Sequence, residues 1–338
     1  MPGVMFGYEE RLMVFLHSGQ TQSIFPIGDC VSIMYTIYLI WDSIATTMIT
    51  PTEKQGSLGK ALGIEALYFK REDLHPYGSH KGRSIPVMID HYIKEGERRF
   101  ALSSSGNAAL AAALHVQKIN QGATKADVSL EIYVGPHADP HKVAKLKECS
   151  SSEIRIMGKE RPLQALTQAV KQGVRSLRQS QDEIALKGYK ALAQELEEVP
   201  NLGAIIIGTS SGTTAQALAS YFTKHKLPVQ IHIIQTSSCH PMSAAFEPYS
   251  GPHEQSIAGA IVDTVAFRKP VLIPLIEESG GRGWTVTNEE ITAAQELVKK
   301  HSGLEISTNS ALSVAGLMQA TTVGWDFKGS VVCMICGE

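Results

Sequence analysis

The chain has 338 residues, of which 43% are hydrophobic and 19% charged, enough apolar material for a sizeable core and too much for a disordered chain. Lys and Arg number 31 against 33 Asp and Glu, a formal charge of −2, so the basic footprint of a nucleic-acid binder is absent. The odd total of 5 cysteines fits a reducing compartment better than a disulfide framework. Length suits two domains or one large α/β unit, and the expectation is a soluble cytoplasmic α/β protein, with no nucleic acid or membrane as partner.

The first feature in chain order is Val31–Trp41, an uncharged run of 11 residues. It is short of the ~20 residues that a spanning helix needs. Glu9, Glu10 and Arg11 precede it, which does not fit a cleaved signal peptide. Residues 1–49 are read as an N-terminal extension and 50–338 as the main folded region. In the latter, β-rich runs fall at 66–71, 99–102, 128–134, 154–157, 204–207, 229–235 and 331–336. Helical stretches fall at 108–117, 141–148, 161–177, 213–225 and 289–301. The last opens with a capping box, Thr287-x-x-Glu290, followed by Ile291, Ala294, Leu297 and Val298 on one face. Alternating strands and helices predict parallel sheets with crossover helices. Ligands in such sheets sit beyond the carboxyl ends of the strands, in the strand-to-helix turns.

Three turns stand out. The first, Pro76-Tyr-Gly-Ser-His-Lys81, delivers Ser79, His80 and Lys81 where a helix begins. A lysine near a helix N-terminus has its amine pKa lowered and becomes a better nucleophile, although exposure is the ordinary fate of this residue. The second, Ser103-Ser-Ser-Gly-Asn107, precedes an alanine-rich helix and reads equally as a set of caps. The third is Gly208-Thr-Ser-Ser-Gly-Thr213, directly after an apolar strand. Its small residues let the backbone approach an anion, its hydroxyls donate, and the helix N-terminus adds partial positive charge. It has neither the Gly-Lys-Ser/Thr of a Walker loop nor G-x-G-x-x-G spacing, and a polar turn with no ligand is an equal reading. Cys333-Met-Ile-Cys336 invites a metal or redox reading. On a strand, however, residues three apart point to opposite faces, so no metal site is assigned.

In this order the lysine turn, the Ser-Ser-Gly-Asn turn and the Gly-Thr-Ser-Ser-Gly-Thr turn resemble the fold-type II pyridoxal-phosphate enzymes, the tryptophan synthase β-like superfamily of cysteine synthase, threonine synthase and the serine/threonine dehydratases. Pro51-Thr52, Phe69-Lys-Arg-Glu-Asp73, Gly78-Ser-His-Lys81 and the stretch 142–147 add to the likeness. Ser256-Ile-Ala258 and the segment 307–316 look most like threonine synthase. Two positions depart from the family pattern: Gly82 stands in the usual Lys-Asp-Arg, and Ala108 replaces a common threonine.

The resemblance implies an α/β fold of two domains, parallel-rich sheets flanked by helices, with pyridoxal 5'-phosphate in the cleft between them. The smaller domain would span roughly 85–185 and the larger one the remainder of 50–338. It implies Lys81 as the Schiff-base lysine and general acid/base, and Asn107 as the partner of the ring 3-hydroxyl oxygen. Gly208, Thr209, Ser210, Ser211, Gly212 and Thr213 would hold the phosphate, with His80 assisting or shaping the pocket. Ser104 and Ser105 would grip the substrate carboxylate. Relatives carry Ser or Thr against the ring nitrogen where this chain has Cys336, a weak donor. The implied reaction is elimination or replacement at the β- or γ-carbon of a small-molecule amino-acid substrate by a homodimer, with O-phosphohomoserine as the favoured substrate. Lys142, Lys145 or Arg83 would then supply a second anion site. Dehydratase or cysteine synthase-like activity, and a non-catalytic cofactor-holding or phosphate-binding protein, are the alternatives.

Overall fold

The computed structural model describes residues 48–122, 127–136 and 138–337; the apolar run Val31–Trp41 and the extension up to residue 47 lie outside them. The elements are β1 (Thr52–Lys54), α1 (Gly56–Leu62), β2 (Leu67–Arg71), α2 (Lys81–Lys94), β3 (Arg99–Ser103), α3 (Asn107–Gln121), β4 (Ser129–Val134), α4 (Pro140–Glu148), β5 (Ile154–Gly158), α5 (Pro162–Lys171), β6 (Arg175–Ser176), α6 (Ile184–Lys187), α7 (Lys190–Glu197), β7 (Leu202–Gly208), α8 (Thr213–Lys224), β8 (Gln230–Thr236), α9 (Lys269–Glu278), β9 (Gly283–Val286), α10 (Asn288–Ser302), α11 (Thr308–Thr322) and β10 (Ser330–Ile335).

They build two sheets. One has the order β1-β2-β10-β7-β8-β9, parallel except for β1, and the other the order β5-β4-β3-β6, parallel throughout. The period of two along each strand sorts side chains between the two faces. In the six-stranded sheet Ala204, Ile206, Val331, Cys333 and Ile335 face α10 and α11, whereas Ile205, Ile207, Val332, Met334 and Cys336 face α7, α8 and α9. In the four-stranded sheet Phe100, Leu102, Leu130 and Ile132 pack on α2 and α3, and Ala101 and Tyr133 pack on α5. Each fully buried Leu, Ile or Phe here is worth about 1.5–3 kcal/mol relative to exposure.

The strand runs read from the sequence are all present, within a residue or two at their ends. The helix expected over 161–177 ends at Lys171 instead. Gly173 adopts φ +78°, a left-handed turn that ends the helix, and Arg175–Ser176 then pair with Phe100–Ala101 as an edge strand. Helix α11 had no periodic signature because ten of its fifteen residues are buried, on every side. Gly316 lies on it where a Cβ would fall 2.1 Å from the Ile234 side chain, so the glycine lets α11 lie flush on β8.

Candidate active site

The carboxyl ends of β2, β3, β7 and β10 lead into the segments singled out in the sequence. Lys81 is the first residue of α2, and the turn before it is stitched to the end of β10. Ser79 bridges Gly337, and both the backbone N–H and the Nδ1 of His80 bond the Cys336 carbonyl, at 3.3 and 3.1 Å. A carbonyl only accepts, so His80 carries its proton on Nδ1. Burial, with Lys81 close by, depresses its pKa to about 3, and the neutral ring stacks on Tyr189. His80 therefore shapes this corner as an uncharged wall.

Burial also lowers the Lys81 amine, to about 8; the proximity of Cys336 and Asp263 opposes that shift, and Arg268 adds to it. Among the described residues the amine has no hydrogen-bond or ion-pair partner. The Cys336 thiol beside it is pushed up to about 12 by burial and stays protonated. Cys333 and Cys336 belong to cores on opposite faces of the sheet, Cys333 donating to the Ser313 carbonyl at 3.7 Å. Among the described residues no group of three His, Cys, Asp or Glu comes together as a metal site.

The turn after β7 forms a cradle of backbone N–H groups. The amides of Ser210, Ser211 and Gly212 have no acceptor among the described residues, and those of Thr213 and Thr214 open α8. Gly212 sits at φ +82°, and a Cβ there would meet Leu272 at 2.9 Å and Met242 at 3.2 Å. The hydroxyls differ from the sequence expectation. Thr209 spends its amide on Ile234 and its hydroxyl on the Ile207 carbonyl, so it offers an anion nothing. The Ser210 oxygen accepts from the amides of Val262 and Asp263 and keeps only its proton for a ligand. Thr213 accepts from Arg268 Nε at 3.2 Å and bonds Ser211 at 2.9 Å. Arg268, buried behind the cradle, also bonds the carbonyls of Gln179 and Asp182 at 2.7 Å each. Its charge is shared with Glu183, at 3.0 Å, so it braces the cradle more than it adds free charge to it.

At the start of α3 the Ser104 hydroxyl accepts from the Gly106 amide at 3.2 Å, while the half-buried Ser105 and Asn107 side chains have no protein partner among the described residues. Arg83 does not serve as an anion site. Its guanidinium is locked by Glu72 at 2.8 and 3.0 Å and by both oxygens of Glu195, and Lys70 joins Glu195 at 2.6 Å. Lys142 and Lys145 lie on α4, half-buried and exposed respectively. Gly82 has a local cause: a Cβ there would lie 2.3 Å from the His75 ring. The segment 307–316 acts from below, where the hydroxyls of Ser307 and Ser310 donate to the Gly337 carbonyl at 2.7 and 3.1 Å.

Three residues had no sequence signal. Arg268 supports the cradle from a distant stretch of chain. Arg178, after β6, pairs with Asp263 at 3.4 Å, joining a segment of the four-stranded side to a loop after β8. Asp263 in turn bears on Lys81. Only the folded chain brings these together.

Comparison with known proteins bears on the family. Residues 46–337 match the family model described as pyridoxal-phosphate dependent enzyme. Threonine synthase of Mycobacterium bovis is 27% identical over 353 residues, spanning 100% of this chain and 88% of that protein. Threonine synthase of Methanosarcina acetivorans is 28% identical over 309 residues, covering 86% and 74%. The crystal structure of a pyridoxal 5'-phosphate-dependent aspartate racemase superposes with TM-score 0.74 at 20% identity, covering 90% of this chain and 94% of that one, a likeness of fold. The residues present fit the cofactor that the family model names. An unpartnered amine on Lys81 meets the aldehyde's chemistry, and acceptor-free amides around Gly212 meet that of a phosphate.

Proposed function

The chain belongs to the pyridoxal-phosphate dependent enzyme family, and from that premise we propose that it is a lyase acting on an amino acid by elimination or replacement beyond the α-carbon, in the manner of threonine synthase, with O-phosphohomoserine as substrate and threonine and phosphate as products. The observation that carries the reading is the Lys81 amine, desolvated to about 8 and left without a partner beside the cradle. Relatives named threonine synthase across 88% of their length support the choice of reaction. In this reading the four-stranded part, roughly 85–185, is the smaller of two domains.

Pyridoxal phosphate, when bound, supplies the electron sink that makes the substrate's α-proton removable. Lys81 would hold its aldehyde carbon, the amides of Ser210 to Thr214 with the Ser210 hydroxyl its phosphate, and Asn107 the ring oxygen. The Lys81 amine, its pKa lowered to about 8, would take the substrate's α-proton as general base and return a proton later in the reaction. Ser104, whose hydroxyl keeps its proton, Ser105 and the amides opening α3 would orient the substrate carboxylate. The Cys336 thiol, protonated at neutral pH, would offer the ring nitrogen only a weak donor and no countercharge. Arg178, half-buried, paired to Asp263 at 3.4 Å and lying over the Phe267 ring, replaces Arg83 as the group for a distal anion on the substrate.

Turnover on a panel tests this. Release of inorganic phosphate from O-phosphohomoserine, with threonine formed, is the expected result. Deamination of serine or threonine without phosphate release would make it a dehydratase. Cysteine formed from O-acetylserine and sulfide would make it a cysteine synthase. Bound cofactor with no turnover would leave the non-catalytic reading.

A further inference from the structure

The turn that presents Lys81 is tied down by a chain of three side chains that the site itself does not use. The Tyr77 hydroxyl lies 3.0 Å from His115 Nδ1, and His115 Nε2 lies 2.7 Å from Asp90 Oδ1. A carboxylate only accepts, so Nε2 carries a proton, and the phenol meets the other ring nitrogen. Burial and the charge of Asp90 raise the Tyr77 pKa and keep that phenol protonated. The bonds join three elements. Asp90 is on α2, which begins with Lys81; His115 is on α3, which begins with Asn107; and Tyr77 is in the turn between β2 and α2. At 1.5 Å per residue, Asp90 lies about 13 Å along α2 from Lys81 and His115 about 12 Å along α3 from Asn107, so the cross-link falls at matching depth on the two helices.

The turn is also seated directly on the helix start. Gly78, at φ +76°, closes it with a bond from its N–H to the His75 carbonyl at 2.6 Å, and the Tyr77 amide bonds His75 Nδ1 at 3.2 Å. At Gly82, next to Lys81, a Cβ would stand 2.3 Å from the His75 ring and 2.8 Å from Tyr77 Cβ. A shift of Tyr77 therefore passes into the first turn of α2 without slack, since close-packed side chains transmit displacement rather than absorb it.

We propose that Tyr77, His115 and Asp90 form a positioning clamp that sets Lys81 against Asn107 and keeps the Lys81 amine out of water. The proposal rests on the reading of Lys81 as the reactive amine. Loss of the clamp lets water reach the amine, and relief of desolvation raises its pKa.

The test begins with cofactor-free protein. Lys81 is acetylated with trace acetic anhydride across pH 6–11 and its extent of labelling mapped by mass spectrometry, to about 0.2 pH unit. Wild type should titrate at about 8. Tyr77→Phe, which removes the hydroxyl and keeps the ring, should move that midpoint upward by about half a unit or more. In the holoenzyme the same variant should lower kcat about tenfold with KM within about twofold, as for a misplaced catalytic group. Asp90→Ala should behave likewise, whereas Asp90→Asn, which keeps an acceptor for Nε2–H, should restore wild-type values. An unmoved midpoint in both Tyr77→Phe and Asp90→Ala overturns the clamp, as does an Asp90→Asn variant no better than Asp90→Ala. Failure of the Lys81 reading shows separately, as a pyridoxyl group absent from Lys81 in reduced wild type.

Discussion

Lys81 and Arg83 sit two residues apart in the first turn of α2, both largely removed from water, and their surroundings are opposites. Arg83 meets Glu72 and Glu195, with Lys70 and Thr50 completing the group. Burial alone would raise the Glu195 carboxyl; the bonds from Arg83 and Lys70 outweigh it and hold it below the ordinary range. Lys81 meets a thiol that does not ionise at neutral pH and a histidine that does not protonate. One cation is neutralised by geometry and the other is left to lose its proton. The saturated cluster ties β2, α2 and α7 together; the unsaturated one is where the proposed chemistry would sit.

Substitutions on the two sides should separate. Lys81→Ala should lower turnover by about three orders of magnitude or more, since it removes both nucleophile and base; the melting curve should scarcely move, and assays with and without added amines will read this. On the other side, Arg83→Ala leaves two buried carboxylates facing each other and should cost about 3–5 kcal/mol in urea unfolding. If Arg83→Ala proved as stable as wild type, the division between the two clusters would fail. Gly212→Ala places a Cβ at φ +82° against Leu272. It should weaken cofactor binding about tenfold, measured by fluorescence titration, with a smaller loss of stability, about 1 kcal/mol. Cys336→Ser exchanges one neutral donor for another and should stay within about threefold of wild-type kcat, whereas Cys336→Asp should shift the cofactor's absorbance.

The pH dependence follows from the same asymmetry. Below about 8 the Lys81 amine is protonated and unreactive; above it the free base is present. The rate at which cofactor-free protein takes up pyridoxal phosphate should therefore rise with pH and level off past about 8, rather than near the 10.5 of an ordinary lysine. Stopped-flow absorbance reads this directly. Retained rise up to pH 10 would mean that the amine is solvated.

What the sequence made legible was local. The turns bearing Lys81, Asn107 and Gly212 each join one strand to one helix, so their small and polar residues stand together in the chain. The contacts that finish the site span long separations: Arg268 to Thr213 across 55 residues, Arg178 to Asp263 across 85, Tyr77 to His115 across 38. Nothing near any of these residues marks its partner. Arg83 misled for the same reason, because its carboxylates come from Glu72 and from Glu195, 112 residues away. The hydroxyl of Thr209 misled differently: small polar residues in a turn serve the fold as readily as a ligand, and which they serve is decided by the backbone that packs beside them.

The central claim is that Lys81 is the residue that holds the cofactor, and it is tested most directly by borohydride reduction of holoenzyme followed by proteolysis and mass spectrometry. The account predicts a single pyridoxyl group on the peptide containing Lys81, and none in Lys81→Ala. A pyridoxyl group on another lysine, or reduced wild-type protein carrying none, would contradict it.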